Sequence, residues 1–200
     1  MIKKILSTIA LAALALGLSS CSDTGSSVAK SHNSFKARTD YRTTMDVYKN
    51  EALYSAAQPG NTSIKVDLSD QRAQLLVGPN KEVAIDTPVC TGRAGKRTPP
   101  GSYPIQEKIV DKRSTIFGTT YYKGKRVHGG DRRKYRGRRD KYVGAPLPYW
   151  MRMTGGGIGM HGSNSVHRHP ASSGCVRTPQ AVIPQIFAKV NKRTPIVVVN

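Results

Sequence analysis

Between Ile64 and Val110 short apolar-rich runs alternate with tight turn signals, a pattern that few folds other than a mainly β domain can accommodate. Ile64, Val66 and Leu68 alternate with Lys65 and Asp67, the period of two that sends one face of a strand to a core and the other to water. Ser69-Asp70 turns the chain into a second run, Gln74 to Val77, and the pair predicts a hairpin. Val83 to Cys90 predicts a third strand, ended by Thr91-Gly92. Thr98-Pro99-Pro100-Gly101 turns again before a fourth strand from Ser102 to Val110, and Ile196 to Val199 predicts a buried closing strand. One good helical period remains, Thr178 to Val190. There Thr178 can cap, Pro179 suits the first turn, and Val182, Ile183, Ile186, Phe187 and Val190 share a face, with Pro184 as a breaker.

The N-terminus has the layout of an export signal: Lys3 and Lys4, an apolar run from Ile5 to Leu18, then small residues before Cys21. The run is shorter than the roughly 20 residues a spanning helix needs, which favours cleavage over a permanent membrane helix. The ending Leu18-Ser19-Ser20-Cys21 resembles a bacterial lipobox, which implies a signal peptide over 1–20 and lipidation of Cys21. The alternative is an ordinary signal cleaved nearby. Ser22 in the next position favours the outer membrane in an organism that has one. Residues 21–62 are rich in Ser, Asn, Ala and Thr without a sustained apolar period, so they predict a flexible tether with a short helix near Thr44 to Ala57. A single domain over 63–200 follows.

The formal charge is +20. Nucleic acid would be the default partner, but an export signal removes the chain from it and leaves anionic wall polymers and lipid headgroups. Much of the charge is concentrated in Lys123 to Lys141, which holds ten Lys or Arg against two Asp and predicts a basic variable loop, solvated and partly disordered, with a basic lid that attracts an acidic substrate as the alternative.

Of the three cysteines, Cys90 lies in an apolar strand-like run and Cys175 in a glycine-flanked, histidine-rich one, so both are expected as free thiols. The informative stretches are Gly155-Gly156-Gly157-Ile158-Gly159-Met160-His161-Gly162-Ser163 and Ser172-Ser173-Gly174-Cys175-Val176-Arg177. A cysteine nucleophile needs a base or a thiolate-stabilising partner, which a histidine provides. Flanking glycines admit a substrate carbonyl, and backbone N–H groups can hold an oxyanion. Taken as residue types alone, the same stretch also reads as an ordinary loop. His161, His167, His169 and Cys175 fit no standard zinc spacing, and no metal or other cofactor is implied. A papain-like order is disfavoured because the cysteine follows the histidine. For Tyr149, Trp150 and Met160, core packing is the expected role.

Met160-His161-Gly162 with Ser172-Ser173-Gly174-Cys175-Val176-Arg177 resembles the signature of the L,D-transpeptidase (YkuD-like) catalytic domain. Ile64 to Leu68, Thr87 to Gly92, Arg97 to Ile105 and Thr194 to Val198 resemble further blocks of that family in the same order, covering about Ser63 to Asn200. The resemblance implies a small β sandwich or barrel-like domain with one or two short helices. It implies acyl transfer on peptidoglycan stem peptides through a thioester, forming cross-links or attaching proteins or D-amino acids, and covalent inhibition by carbapenems. Cys175 matches the nucleophile and His161 the catalytic histidine, with Gly162 orienting that histidine through its carbonyl. The Gly174 and Cys175 N–H groups match the oxyanion donors, Ser173 falls beside them on the substrate side, and Arg177 falls at a carboxylate or substrate contact, or in a loop-bracing salt bridge. The family's usual Ser-His-Gly-Cys reads Ser-Ser-Gly-Cys here, with Ser173 replacing a histidine. His167 and His169 match no catalytic position. Hydrolysis of the same bond, and a catalytically weak wall-binding lipoprotein, are the alternative functions.

Overall fold

The computed structural model describes residues 31–200. The signal-peptide and Cys21 expectations lie outside these residues. Strands β1 (Tyr48–Lys49), β2 (Thr62–Asp67), β3 (Arg72–Val77), β4 (Glu82–Pro88), β5 (Gly101–Pro104) and β11 (Pro195–Val199) form one sheet in the order β1-β4-β3-β2-β11-β5. Strands β6 (Glu107–Tyr122), β7 (Lys125–Asp131), β8 (Lys141–Arg152), β9 (Gly159–Ser163) and β10 (Val176–Pro179) form the second, in the order β10-β9-β8-β6-β7. Short helices accompany them, among them α1 (Glu51–Ala56) and α2 (Ile183–Ala188). The period of two in β2 does what it predicts: Ile64 and Val66 are fully buried, and Lys65 and Asp67 are not. One core joins Ile64, Leu75 and Ile85 of the first sheet to Met151, Met160 and Val176 of the second, with Ile183 and Ile186 of α2. The architecture is the mainly β, two-sheet domain expected.

Four expectations need correcting in detail. The fourth strand is two strands in different sheets. The Ile105 N–H donates to Thr194 O at 3.0 Å and the Gln106 N–H to Arg152 O at 2.9 Å, so the chain crosses between sheets at this point. The Thr178–Val190 helix is confined to α2, because Thr178 belongs to β10 and Pro184, lacking an N–H, is tolerated only in a first turn. In the proposed tether the described part, 31–62, is packed on the domain: residues 31–36 are helical, β1 pairs with β4, and Asn50 caps α1 by accepting from the Leu53 N–H at 3.0 Å. The basic segment is ordered structure, a turn at Lys123-Gly124 followed by β7 and a short 3-10 turn, Arg132–Lys134. Both turn residues have positive φ, the combination that closes a two-residue hairpin without splaying its strands.

The packing of the N-terminal segment has a polar cause. Asp86, fully buried on β4, accepts from Arg72 Nε, Gln74 Nε2, His32 Nε2 and the Tyr41 hydroxyl. The Arg72 guanidinium also lies 4.7 Å from the Tyr41 ring centre and 5.0 Å from that of Phe35. Aromatic residues scattered without period therefore cover one buried ion pair, an arrangement that no apolar periodicity announces.

Candidate active site

Strands β9 and β10 run parallel and adjacent, about 4.8 Å apart. Their register pairs Met160 with Val176 and His161 with Arg177. Because side chains alternate, Met160 and Val176 enter the core, both fully buried, while His161 and Arg177 share the opposite face. Cys175 stands one residue before β10, level with Gly159, whose backbone N–H favours its thiolate. The residues assigned as nucleophile and base are thus gathered at one corner of the second sheet, with Arg177 beside both.

The His161 ring is positioned from two sides. Its Nδ1 donates to Gly162 O at 2.8 Å, which leaves Nε2 as the acceptor, and the Trp150 ring lies 6.2 Å away, itself held by a bond from its Nε1 to Glu107 Oε1 at 2.9 Å. Gly162 has a steric reason to be glycine: a Cβ there would meet Gln180 Oε1 at 2.7 Å and Ile183 Cγ2 at 2.8 Å. Gly159 has another, since its Cβ would stand 2.6 Å from the Trp150 ring. Burial pushes the His161 imidazole down to about 4, with the nearby Arg177 charge acting in the same direction and the Gly162 bond opposing. Burial raises the Cys175 thiol, against the Gly159 N–H and the Arg177 charge. At neutral pH the resting pair is therefore thiol and neutral imidazole.

The loop bearing Cys175 is built on a segment about eighty residues earlier. The Ala171 and Ser172 N–H groups donate to Thr91 O, each at 2.9 Å, and Cys90 and Arg177 exchange two backbone bonds, both 2.9 Å. Inside the loop, Ser172 Oγ accepts from the Gly174 N–H at 3.0 Å and donates to Cys175 O at 2.6 Å. Thr98 Oγ1 accepts from the Gly92 N–H at 2.9 Å and donates to Gly174 O at 2.7 Å. Gly174 itself adopts φ +116°, a conformation open to glycine. The Gly174 N–H, expected as an oxyanion donor, is thus engaged by Ser172, whereas the Cys175 N–H has no acceptor among the described residues. Ser173 Oγ accepts from Arg93 Nη1 at 3.1 Å, so an arginine from the segment after β4 occupies the neighbourhood of the absent motif histidine.

No carboxylate among the described residues lies within ion-pair distance of Arg177, which leaves the loop-bracing salt bridge without support. Cys90 and Cys175 are both free thiols, Cys90 fully buried. His167 and His169 stack on each other at 5.4 Å in the intervening loop, and no cluster of His, Cys, Asp or Glu among the described residues is placed to hold a metal. Trp150 and Met160 are core residues, and Tyr149 packs against the same core. Sequence reasoning gave no role to Ser172, Thr98, Arg93 or Arg168. The first two lie inside the motif blocks and could have been weighed as loop clamps. Arg168, whose guanidinium donates to the carbonyls of Arg42, Asp70 and Gln71, carries no sequence signal, because its acceptors are backbone atoms brought in by the fold.

Residues 61–198 match the family model described as the L,D-transpeptidase catalytic domain, YkuD. No curated protein matches the chain. Among solved structures it is similar to an L,D-transpeptidase from Stackebrandtia nassauensis, with TM-score 0.52 and 22% identity over 73% of this chain and 60% of that one. It is also similar to an L,D-transpeptidase from Mycobacterium smegmatis, with TM-score 0.54 and 17% identity over 70% of this chain and 59% of that one. A third, the LD transpeptidase LdtMt1 solved in complex with imipenem, gives TM-score 0.53 and 20% identity over 70% of this chain and 59% of that one. The chain spans about 60% of the length of these structures, which at such identities share its fold. With the family model spanning both sheets apart from β1 and the last residue of β11, and with them the segments that carry His161 and Cys175, the chain belongs to the L,D-transpeptidase catalytic-domain (YkuD) family.

Proposed function

We propose that the protein is a cysteine L,D-transpeptidase of peptidoglycan stem peptides, held in the cell envelope by a lipid on Cys21. The observation that carries this reading is the β9–β10 register, which sets His161, Arg177 and Cys175 on one corner, with the His161 ring fixed by Gly162. His161 Nε2 takes the proton from the Cys175 thiol as the sulfur attacks the carbonyl of the L-centre diamino acid. Negative charge gathers on that oxygen beside the Cys175 N–H. The tetrahedral adduct collapses, the amine of the terminal D-residue leaves with the proton from His161, and a thioester remains. An acceptor amine, deprotonated through His161, attacks the thioester, restoring the Cys175 thiol and forming the new amide. Water as acceptor gives hydrolysis of the same bond. The Arg177 guanidinium, which has no carboxylate partner among the described residues, supplies the charge for a substrate carboxylate.

The test is intact-mass spectrometry of the full-length protein in detergent, thiols reduced, with a carbapenem such as imipenem, the compound bound by the LdtMt1 neighbour. The expected result is a single adduct that disappears in Cys175→Ala and forms about 10²–10⁴-fold more slowly in His161→Ala, the range that general-base assistance provides. A parallel incubation with a stem tetrapeptide and an amine acceptor should release the terminal D-residue. A folded, reduced protein with neither adduct nor release would overturn the reading.

A further inference from the structure

The basic segment forms a second feature, separate from the catalytic corner. The ends of β6 and β8, with β7 and the 3-10 turn, make an arm whose β7 packs against β6 and that turn. From Met151, which pairs with Met160 next to His161, β8 runs ten residues back to Lys141, roughly 33 Å of strand. The side-chain bonds within the arm stay within it: Arg133 holds Asp131, Asp140 accepts from the Lys123 N–H at 2.6 Å, and Arg139 donates to Tyr135 O at 3.2 Å. Both of its acids are thereby engaged. Of its ten Lys and Arg, Arg133 alone has a carboxylate within ion-pair distance among the described residues. The cations left over are not dispersed, because Arg132, Arg139 and Lys141 line a shallow cleft of about 280 Å³ with Thr120, Asp140 and Tyr142.

A soluble polyanion would require only the charge. The arm presents apolar side chains as well: Phe117 is 37% exposed and Val127 38% exposed, on neighbouring strands. Tyr121, Tyr122, Tyr135 and Tyr142 add rings with polar ends. Cations set among exposed aliphatic and aromatic groups match the boundary between headgroups and acyl chains, where the charges meet phosphates and the rings enter the interface.

We propose that this arm is a membrane-docking surface for anionic phospholipid, with a phosphate seated between Arg132, Arg139 and Lys141 and Phe117 and Val127 entering the interface. Docking orients the domain by its arm and leaves the Cys175 corner, at the other end of β8, free for the wall. The surface acts independently of the Cys21 lipid and of the proposed chemistry.

The experiment is co-sedimentation of the mature chain carrying Cys21→Ser, so that no lipid is attached, with vesicles of phosphatidylcholine alone or with one third phosphatidylglycerol. Binding to the anionic vesicles and not to the neutral ones is expected. Replacing Arg132, Arg136, Arg138 and Arg139 by Ser should weaken it roughly six-hundredfold, since each basic residue near such a surface contributes roughly a fivefold factor. Phe117→Ser with Val127→Ser should weaken it severalfold at unchanged charge. Circular dichroism melts confirm that the variants fold. Two results overturn the proposal: anionic-vesicle binding that the arm substitutions leave unchanged, which locates it elsewhere on the basic surface, or binding to soluble polyphosphate with none to vesicles, which makes the ligand a polymer.

Discussion

Burial acts on the two candidate catalytic side chains in opposite senses, lowering His161 and raising Cys175, so each rests in its neutral form. The base is therefore available well below the usual histidine range. With its pKa at about 4, His161 stays unprotonated as pH falls through 6.5 and loses its lone pair only near 4. Carbapenem acylation measured by stopped flow should accordingly hold its rate from pH 7 to about 5 and fall tenfold per unit below about 4. An acid limb near 6.5 would show that the ring is solvated. The residue pattern made Cys175 and His161 legible as candidates only through its resemblance to a family motif, since a thiol and an imidazole among glycines also occur in an ordinary loop. It did not reveal that Ser172 occupies the Gly174 N–H, because the bond exists only when the loop closes on itself.

The elements around the site are short, and tertiary contacts determine where they end. The loop before β10 depends on Gly174 at φ +116° and on its carbonyl bonding Thr98. An alanine there would place a Cβ 3.3 Å from the Ile158 side chain and force a backbone conformation that costs about 1–3 kcal/mol. Gly174→Ala should lower the melting temperature and reduce acylation more than tenfold, measured together by differential scanning fluorimetry and mass spectrometry; unchanged acylation would show that Thr98 does not set the Cys175 loop. Strands β2, β3, β4 and β11 were readable from period and turn residues to within a few positions. The break at Ile105 was not, since Ser102 to Val110 is one extended run whose halves bond to different sheets. The arm was misread for the opposite reason: ten cations imply mutual repulsion, yet the Lys123-Gly124 turn and cross-strand pairing hold β6, β7 and β8 together.

In the whole molecule, the segment from residue 31 onward is fastened to the domain at Asp86 and again by Arg168, which reaches back from the loop between His161 and Cys175. Burial opposes ionisation of Asp86, but the bonds from His32, Arg72 and Gln74 outweigh it and hold the carboxyl below its ordinary value. Asp86→Ala would strand the buried Arg72 charge, a loss of about 3–5 kcal/mol. Limited trypsin digestion should then cut after Arg38 and Arg42, sites the packed segment protects; equal resistance in the variant would mean that the aromatic contacts suffice. What the sequence by itself determined was the β class and the strands with a clean period of two, because local periodicity is a property of neighbouring residues; Cys175 and His161 it offered as candidates, through their resemblance to a family motif. Only the tertiary structure decided that Thr91 and Thr98 cradle the Cys175 loop, that Arg93 stands by Ser173, that the N-terminal segment is packed and that the basic run is an arm. The first three depend on groups far apart in the chain, brought together when the two sheets close on a common core; the arm depends on cross-strand pairing that outweighs the repulsion of its charges.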